Sequence, residues 1–155
     1  MDVKIGMNLE QRKVVCEALK RLQADTAVCY GKTHGFHWNI TGPHFASMHK
    51  LLEEQYQEVW TAIDEIAERI RALGEYALTS YEQYRELSDI KEETGHPSWE
   101  EMIRQLVDAN EIVARTAKGS FEVIEKSGDE ATLDLLNSRT LQHEKNAWML
   151  RSMLE

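Results

Sequence analysis

Seven side chains between residues 34 and 68 concentrate metal-ligand chemistry in this 155-residue chain: His34, His37, His44, His49, Glu53, Asp64 and Glu68. Imidazole nitrogens and carboxylate oxygens together suit iron, zinc or manganese. His49 and Glu53 stand four residues apart, as do Asp64 and Glu68, so on a helix each pair shares a face. Fifteen residues separate His49 from Asp64, about 22 Å along one helix. The two pairs therefore cannot meet on one ion within that helix. They meet when the helix packs antiparallel against a copy of itself. A two-fold axis between residues 58 and 59 sets His49 opposite Glu68 and Glu53 opposite Asp64, and the arrangement then occurs twice per dimer. His37, at the end of the preceding helix, reaches over the same place. Each of these residues alone has a plainer reading. A single His is more often a surface or hydrogen-bonded residue, and Asp64 and Glu68 beside Arg69 and Arg71 read as a solvated helix face. The symmetry of the positions is what favours a ligand set. Glu93-Thr94-Gly95-His96 has another metal-like spacing, but it precedes Pro97 in a loop. An intra-bundle carboxylate site needs Glu-x-x-His on core faces of two helices.

The elements that must hold these residues are all helical. Apolar residues recur at steps of three and four, with no sustained alternation. A first helix runs from about Leu9 to Phe36 with Val15, Leu19, Leu22, Thr26, Cys29 and Thr33 inward. Thr41-Gly42-Pro43 breaks the pattern, and Pro43 suits the first turn of the next helix. The second helix runs from about His44 to Leu73. Its stripe is Phe45, Met48, Leu52, Val59, Ile63, Ile66, Ile70 and Leu73, and Gly74 follows as a C′ residue. The candidate ligands on it lie one position after members of that stripe, about 100° round the helix, so they flank the core. Residues 75–97 are too many for a plain loop, and Tyr81 to Leu87 is expected to form a short helix there. Ser98 and Glu101 form a capping box for a third long helix reaching about Lys126, with Met102, Leu106, Val113, Ala117 and Phe121 inward. Gly128 closes it. Asp129 caps a fourth helix that runs nearly to Glu155 with Leu133, Leu136, Thr140, Ala147, Leu150 and Leu154. Four long helices predict one all-α domain over residues 1–155, a four-helix bundle with a short extra helix in the long connection. Trp38 and Trp60 read first as packing anchors.

The charge balance, 27 acidic against 18 basic residues for a formal −9, disfavours a simple electrostatic nucleic-acid binder and favours attraction of cations. No apolar run approaches the ~18 residues of a membrane span, and no apolar h-region follows Met1-Asp2-Val3-Lys4. Cys16 and Cys29 lie about 20 Å apart along one helix, too far for a disulfide. They are read as reduced thiols of a cytoplasmic protein.

The run Lys32-Thr33-His34-Gly35-Phe36-His37-Trp38-Asn39-Ile40-Thr41-Gly42-Pro43-His44-Phe45, then Met48-His49, then Asp64-Glu65-Ile66-Ala67-Glu68-Arg69-Ile70, resembles the Dps family. These are DNA-protection proteins of starved cells, miniferritins within the ferritin-like superfamily. The family's His-Trp-Asn, Gly-x-x-Phe-x-x-x-His and Asp-x-x-Ala-Glu-Arg are all present at its spacings. His143 to Leu150 looks like its last helix. The resemblance implies a hollow homo-dodecamer with ferroxidase di-iron sites at two-fold interfaces, where His37 and His49 of one subunit face Asp64 and Glu68 of its mate. It implies oxidation of Fe(II), preferably by hydrogen peroxide, and storage of ferric mineral. The family's usual Asp four residues after the second His is Glu53 here, a longer arm of the same charge. Acidic three-fold pores at the start of the last helix make Asp129, Glu130 and Asp134 pore candidates, with helix capping the plainer role of Asp129. By analogy Trp38 and Trp60 would intercept stray oxidising equivalents beside the site. Family members often bind DNA through a Lys-rich terminal tail. Here Lys4 is the only basic residue before the first helix, so DNA binding is expected to be weak or absent. Two other readings stay open. One is a nucleoid-condensing shell with little ferroxidase role. The other is zinc held by the same ligands, with His34 and His44 as extra imidazoles.

Overall fold

The computed structural model describes residues 3–155. Six helices follow in order: α1 (Leu9–Asn39), α2 (Phe45–Ala72), α3 (Tyr81–Leu87), α4 (Trp99–Gly119), α5 (Phe121–Ser127) and α6 (Glu130–Arg151). No strand occurs among the described residues. Two apolar clusters fix the topology. One joins Val15, Leu19 and Leu22 of α1 to Ile66 and Ile70 of α2, Val113 and Ala117 of α4, Ile124 of α5 and Leu136 of α6. The other joins Phe36 at the far end of α1 to Met48 and Leu52 of α2, Met102 and Leu106 of α4, and Leu150 of α6. Hence α1 and α2 are antiparallel, as are α4 and α6, while α4 runs parallel to α2. The connection between those two must travel the length of the bundle, as the sequence predicts.

Two buried polar residues of α1 hold that connection in place. The Gln23 amide donates to Leu78 O at 3.1 Å and accepts from Leu78 N at 3.0 Å. Asp25 accepts from Ser88 Oγ at 2.8 Å, Asp89 N at 2.9 Å and Thr116 Oγ1 at 2.6 Å. Both residues lie on the core side of an otherwise apolar stripe, where each bond replaces one to water.

Several helix ends differ from expectation. Asn8 caps α1 through a reciprocal bond with Gln11, and α1 continues three residues past Phe36 to Asn39. Pro43 lies before α2 rather than in its first turn, because His44 is the N-cap. Gly42 has φ +118°, and a Cβ there would stand 2.8 Å from the Trp99 ring, so the α1–α2 turn requires glycine. Phe45, expected inward, is exposed. Ser98 accepts from Glu101 N at 3.3 Å, but the Glu101 side chain faces Arg104 and Gln105, so the capping box is one-sided. The third long helix is broken. At Ser120, N–H turns to Ala117 O at 3.1 Å while Oγ donates to Thr116 O at 2.9 Å. These bonds compete with the regular ladder and separate α4 from α5. Gly128, at φ +69°, ends α5, and Asp129 caps α6, which stops at Arg151 rather than near Glu155.

Cys16 and Cys29 are free and buried. Burial pushes their thiols up to about 11 and about 12. No helix among the described residues is long and apolar enough to cross a membrane.

Candidate metal centre

His37 and His49 meet where α1 ends and α2 begins. The turn folds α2 back onto α1 and stacks the two rings, with centroids 3.8 Å apart and planes 18° apart. Each Nδ1 lies 2.8 Å from the other residue's backbone carbonyl oxygen. A carbonyl only accepts, so both Nδ1 atoms carry the hydrogen, and Nε2 is the nitrogen each ring has left to offer a metal. This is how an imidazole is prepared for a metal: the tautomer is set and the ring is held from behind. Tyr56 packs edge-on against His37 and Phe45 tilts over His49, both at 5.1 Å.

Asp64 and Glu68 stand exposed on α2, with Glu53 half-exposed. Among the described residues none of the three takes part in an ion pair. Arg69, next to Glu68 in sequence, is turned away. Its Nη2 donates to Asp129 Oδ1 at 2.6 Å and its Nε to Thr132 Oγ1 at 2.9 Å. Arg69 therefore does not neutralise Glu68. No three His, Cys, Asp or Glu side chains gather to hold a metal among the described residues. That follows from the register: one chain brings His37 and His49 together and leaves Asp64 about 22 Å away along α2. An interface that covered this face would need a cation for its carboxylates, because uncompensated buried charge is costly.

Trp38 and Trp60 are 64% and 61% exposed, so neither anchors the bundle core. They belong to an aromatic band on the α1–α2 face. Trp38 packs on His34 at 4.0 Å, His34 on Tyr56 at 4.2 Å, and Trp60 on Tyr30 at 5.3 Å. The Tyr30 hydroxyl is hydrogen-bonded to His34 Nδ1 at 3.1 Å. Burial, then the neighbouring His37, lowers the His34 pKa from the usual imidazole value. His44 packs on Trp99 instead. The zinc reading thus gains no additional ligand cluster from His34 or His44 among the described residues. Sequence reasoning missed Tyr30 and Tyr56, and it placed Arg69 beside Glu68 rather than on Asp129; the four-residue spacing of Tyr30 to His34 was the signal available for the first.

At the start of α6, Asp129 is 5% exposed and accepts from Thr132 N at 3.0 Å and Thr132 Oγ1 at 2.6 Å as well as from Arg69. Burial pushes its pKa up, but the Arg69 and Thr132 hydrogen bonds outweigh that and hold it below the usual carboxylate range. This carboxylate ties α6 to α2 and caps a helix, the plainer of the two roles its position offers. Glu130 and Asp134 are exposed on the first turns of α6.

A family model described as a ferritin-like domain matches residues 16–155. The chain is 39% identical to DNA protection during starvation protein 2 of Bacillus anthracis, over 92% of this chain and 97% of that one. It is similar to the crystal structure of a Dps protein from Bacillus brevis, with a TM-score of 0.90 and 35% identity over 96% of this chain and 100% of that one. A Dps protein from Vibrio cholerae O1, described as a member of a broad superfamily of ferritin-like diiron-carboxylate proteins, matches with a TM-score of 0.90 and 32% identity, covering 99% of this chain and 100% of that one.

Proposed function

The chain belongs to the Dps family of the ferritin-like superfamily, and from that premise we propose that it oxidises Fe(II) and stores it. Oxidation takes place at sites shared between two-fold-related subunits, and ferric mineral collects inside a hollow homo-dodecamer. Each site takes His37 and His49 from one subunit and Asp64 and Glu68 from its mate, with Glu53 beside them. The observation that carries this reading is the reciprocal lock of His37 and His49, which engages both Nδ1 atoms and leaves Nε2 as each ring's metal-facing nitrogen, with His49 on the same helix as the unpaired carboxylates.

The division of labour follows from ligand chemistry. Neutral imidazoles hold the incoming Fe(II), and carboxylates favour Fe(III) by charge. Two Fe(II) give one electron each to hydrogen peroxide. Its O–O bond breaks, two protons are taken up and two waters leave, so no hydroxyl radical is released. Glu130 and Asp134 offer cations an acidic path, in keeping with a chain of formal charge −9.

The relatives' name speaks for an association with DNA, and a nucleoid-condensing shell is the second reading. The net charge argues against direct phosphate contact, which requires cations on the protein. Retardation of DNA in a mobility shift at low salt without divalent metal would favour that reading. Retardation only with bridging divalent cations would leave the iron reading ahead.

The deciding experiment is anaerobic Fe(II) titration of metal-free protein followed by peroxide, with ferric absorbance recorded, for wild type and Asp64→Ala. Rapid oxidation saturating near about two irons per site, and lost in the variant, is expected. Background-rate oxidation, identical in both proteins, overturns the proposal.

A further inference from the structure

A second set of metal-ligand groups lies between the helices, and an arginine fills it: Arg139 and His143 are buried, while the Glu58 side chain at its edge is 35% exposed. Between the two apolar clusters, Glu58 of α2, Asn110 of α4, and Arg139 and His143 of α6 form one connected network. Arg139 grips both Glu58 oxygens, Nη1 on Oε1 and Nη2 on Oε2, the latter at 3.0 Å. Its Nη2 also lies 2.9 Å from His143 Nε2. A guanidinium only donates, so Nε2 presents its lone pair. The ring hydrogen is then on Nδ1, which donates to Asn110 Oδ1 at 2.8 Å. A neutral ring, a tautomer fixed by a carbonyl behind it, and a lone pair aimed at a cation that a carboxylate also grips: this is the layout of a metal-binding histidine. One more side chain of the same layer, Gln55, is 5% exposed and finds no partner for either amide atom.

In ferritin-like di-iron carboxylate bundles, Glu and Glu-x-x-His groups project inward to hold metal. The interior groups here do not fit such a centre. They amount to one carboxylate and one imidazole, with a fixed positive charge between them. A guanidinium does not deprotonate in proteins, so no accessible pH frees the pair. Arg139 itself is 4% exposed, so its charge sits at that position screened from solvent.

We infer that Arg139 is a specificity-determining residue: its guanidinium occupies the cation position of the bundle interior, keeps Fe(II) out, and confines metal to the interface ligands. The inference rests on the proposed ferroxidase reading only for where the excluded iron goes, and its test reads metal binding rather than oxidation.

The probe is Co(II) alone, added to the assembled protein. Crystals of wild type soaked in Co(II) give anomalous density at His37 and His49 and none between Glu58 and His143. Density at the interior position overturns the inference. Density at neither position overturns the interface reading and leaves this one standing. Arg139→Ala and the longer-armed Arg139→Gln, each combined with Asp64→Ala, gain about one Co(II) per chain with visible d–d absorption, and His143→Leu abolishes it. A merely structural arginine would lower the melting temperature of these variants without creating a His143-dependent band. Folded variants that lack the band overturn the inference, and the soaked wild-type crystal decides it if neither variant folds.

Discussion

Co-assembly of two inactive variants separates a shared site from a self-contained one. Asp64→Ala removes a carboxylate from each site. His37→Ala removes one imidazole and also disables a second, because His49 loses the ring stacked on it at 3.8 Å. The fifteen-residue separation of His49 and Asp64, about 22 Å along α2, prevents any protomer from completing its own site. In a mixed dimer, one site therefore carries both lesions and the other carries neither. Random pairing of equal amounts makes about half of the dimers mixed, so about one quarter of all sites are intact. The two variants are co-expressed with different tags, and the mixed assemblies and each parent are assayed for peroxide-driven Fe(II) oxidation from anaerobic solution. Each parent alone should run at background, and a random mixture at about one quarter of the wild-type rate. A mixture that stays at background, with helical content and assembly intact, refutes the two-fold reasoning. Near wild-type activity in either parent refutes the ligand assignment.

Three further outcomes follow from the buried polar groups. Burial, then the Arg139 charge, holds the folded-state pKa of His143 well below its ordinary value. The unfolded chain therefore binds a proton that the folded chain refuses once pH falls below ~6.5, and stability drops by up to about 1.4 kcal/mol per pH unit per chain. Guanidinium unfolding between about pH 7.5 and 5.5 should show this slope in wild type and lose it in His143→Gln; equal slopes refute it. Asp129→Ala leaves Arg69 and Thr132 N without their partner and should cost about 3 kcal/mol by denaturant midpoint at neutral pH, whereas a loss below about 0.5 kcal/mol would refute the ion pair's role. With thiols pushed up to about 11 and about 12, Cys16 and Cys29 should resist iodoacetamide at about pH 8 until the chain unfolds, and rapid labelling of folded protein would contradict their burial.

The fold was legible where periodicity was strong and glycine or a cap punctuated it. The short helix Tyr81–Leu87 appears with the bounds that the sequence predicts, and Gly74 and Gly128 take the left-handed conformations their places require. The break at Ser120 was not legible, because the apolar spacing from Met102 through Phe121 continues across it. What interrupts the helix is a hydroxyl competing for a carbonyl, a local effect that periodicity does not register. Phe45 fits the inward stripe by spacing, yet it lies on the first turn of α2 and tilts over His49 instead. Trp38 and Trp60 do pack, on His34 and Tyr30, but spacing alone could not show that they do so on a face the single chain leaves open.

Carboxylate and imidazole are set up in two places in this molecule, bridged by Arg139 in one and spread along α2 in the other, and the sequence betrayed the second. The proposed α2 ligands announce themselves because all four sit on one helix, where indices that sum to one value would suit a two-fold axis. Glu58, Asn110, Arg139 and His143 come from three helices, and a charged residue at a core position is assigned to the surface when nothing shows its partner. The chemistry of the two places is similar, and their cation supply is opposite. Inside, Arg139 provides a permanent charge, and its carboxylate and imidazole are satisfied within the chain. On the α2 face, Arg69 is diverted to Asp129, so Glu68 keeps its charge uncompensated beside an equally unpaired Asp64. Arg139 neutralises Glu58 and Arg69 is committed to Asp129, which leaves Asp64 and Glu68 without an arginine partner. The placement of two arginines thus accounts for where metal is expected to bind and where it is not.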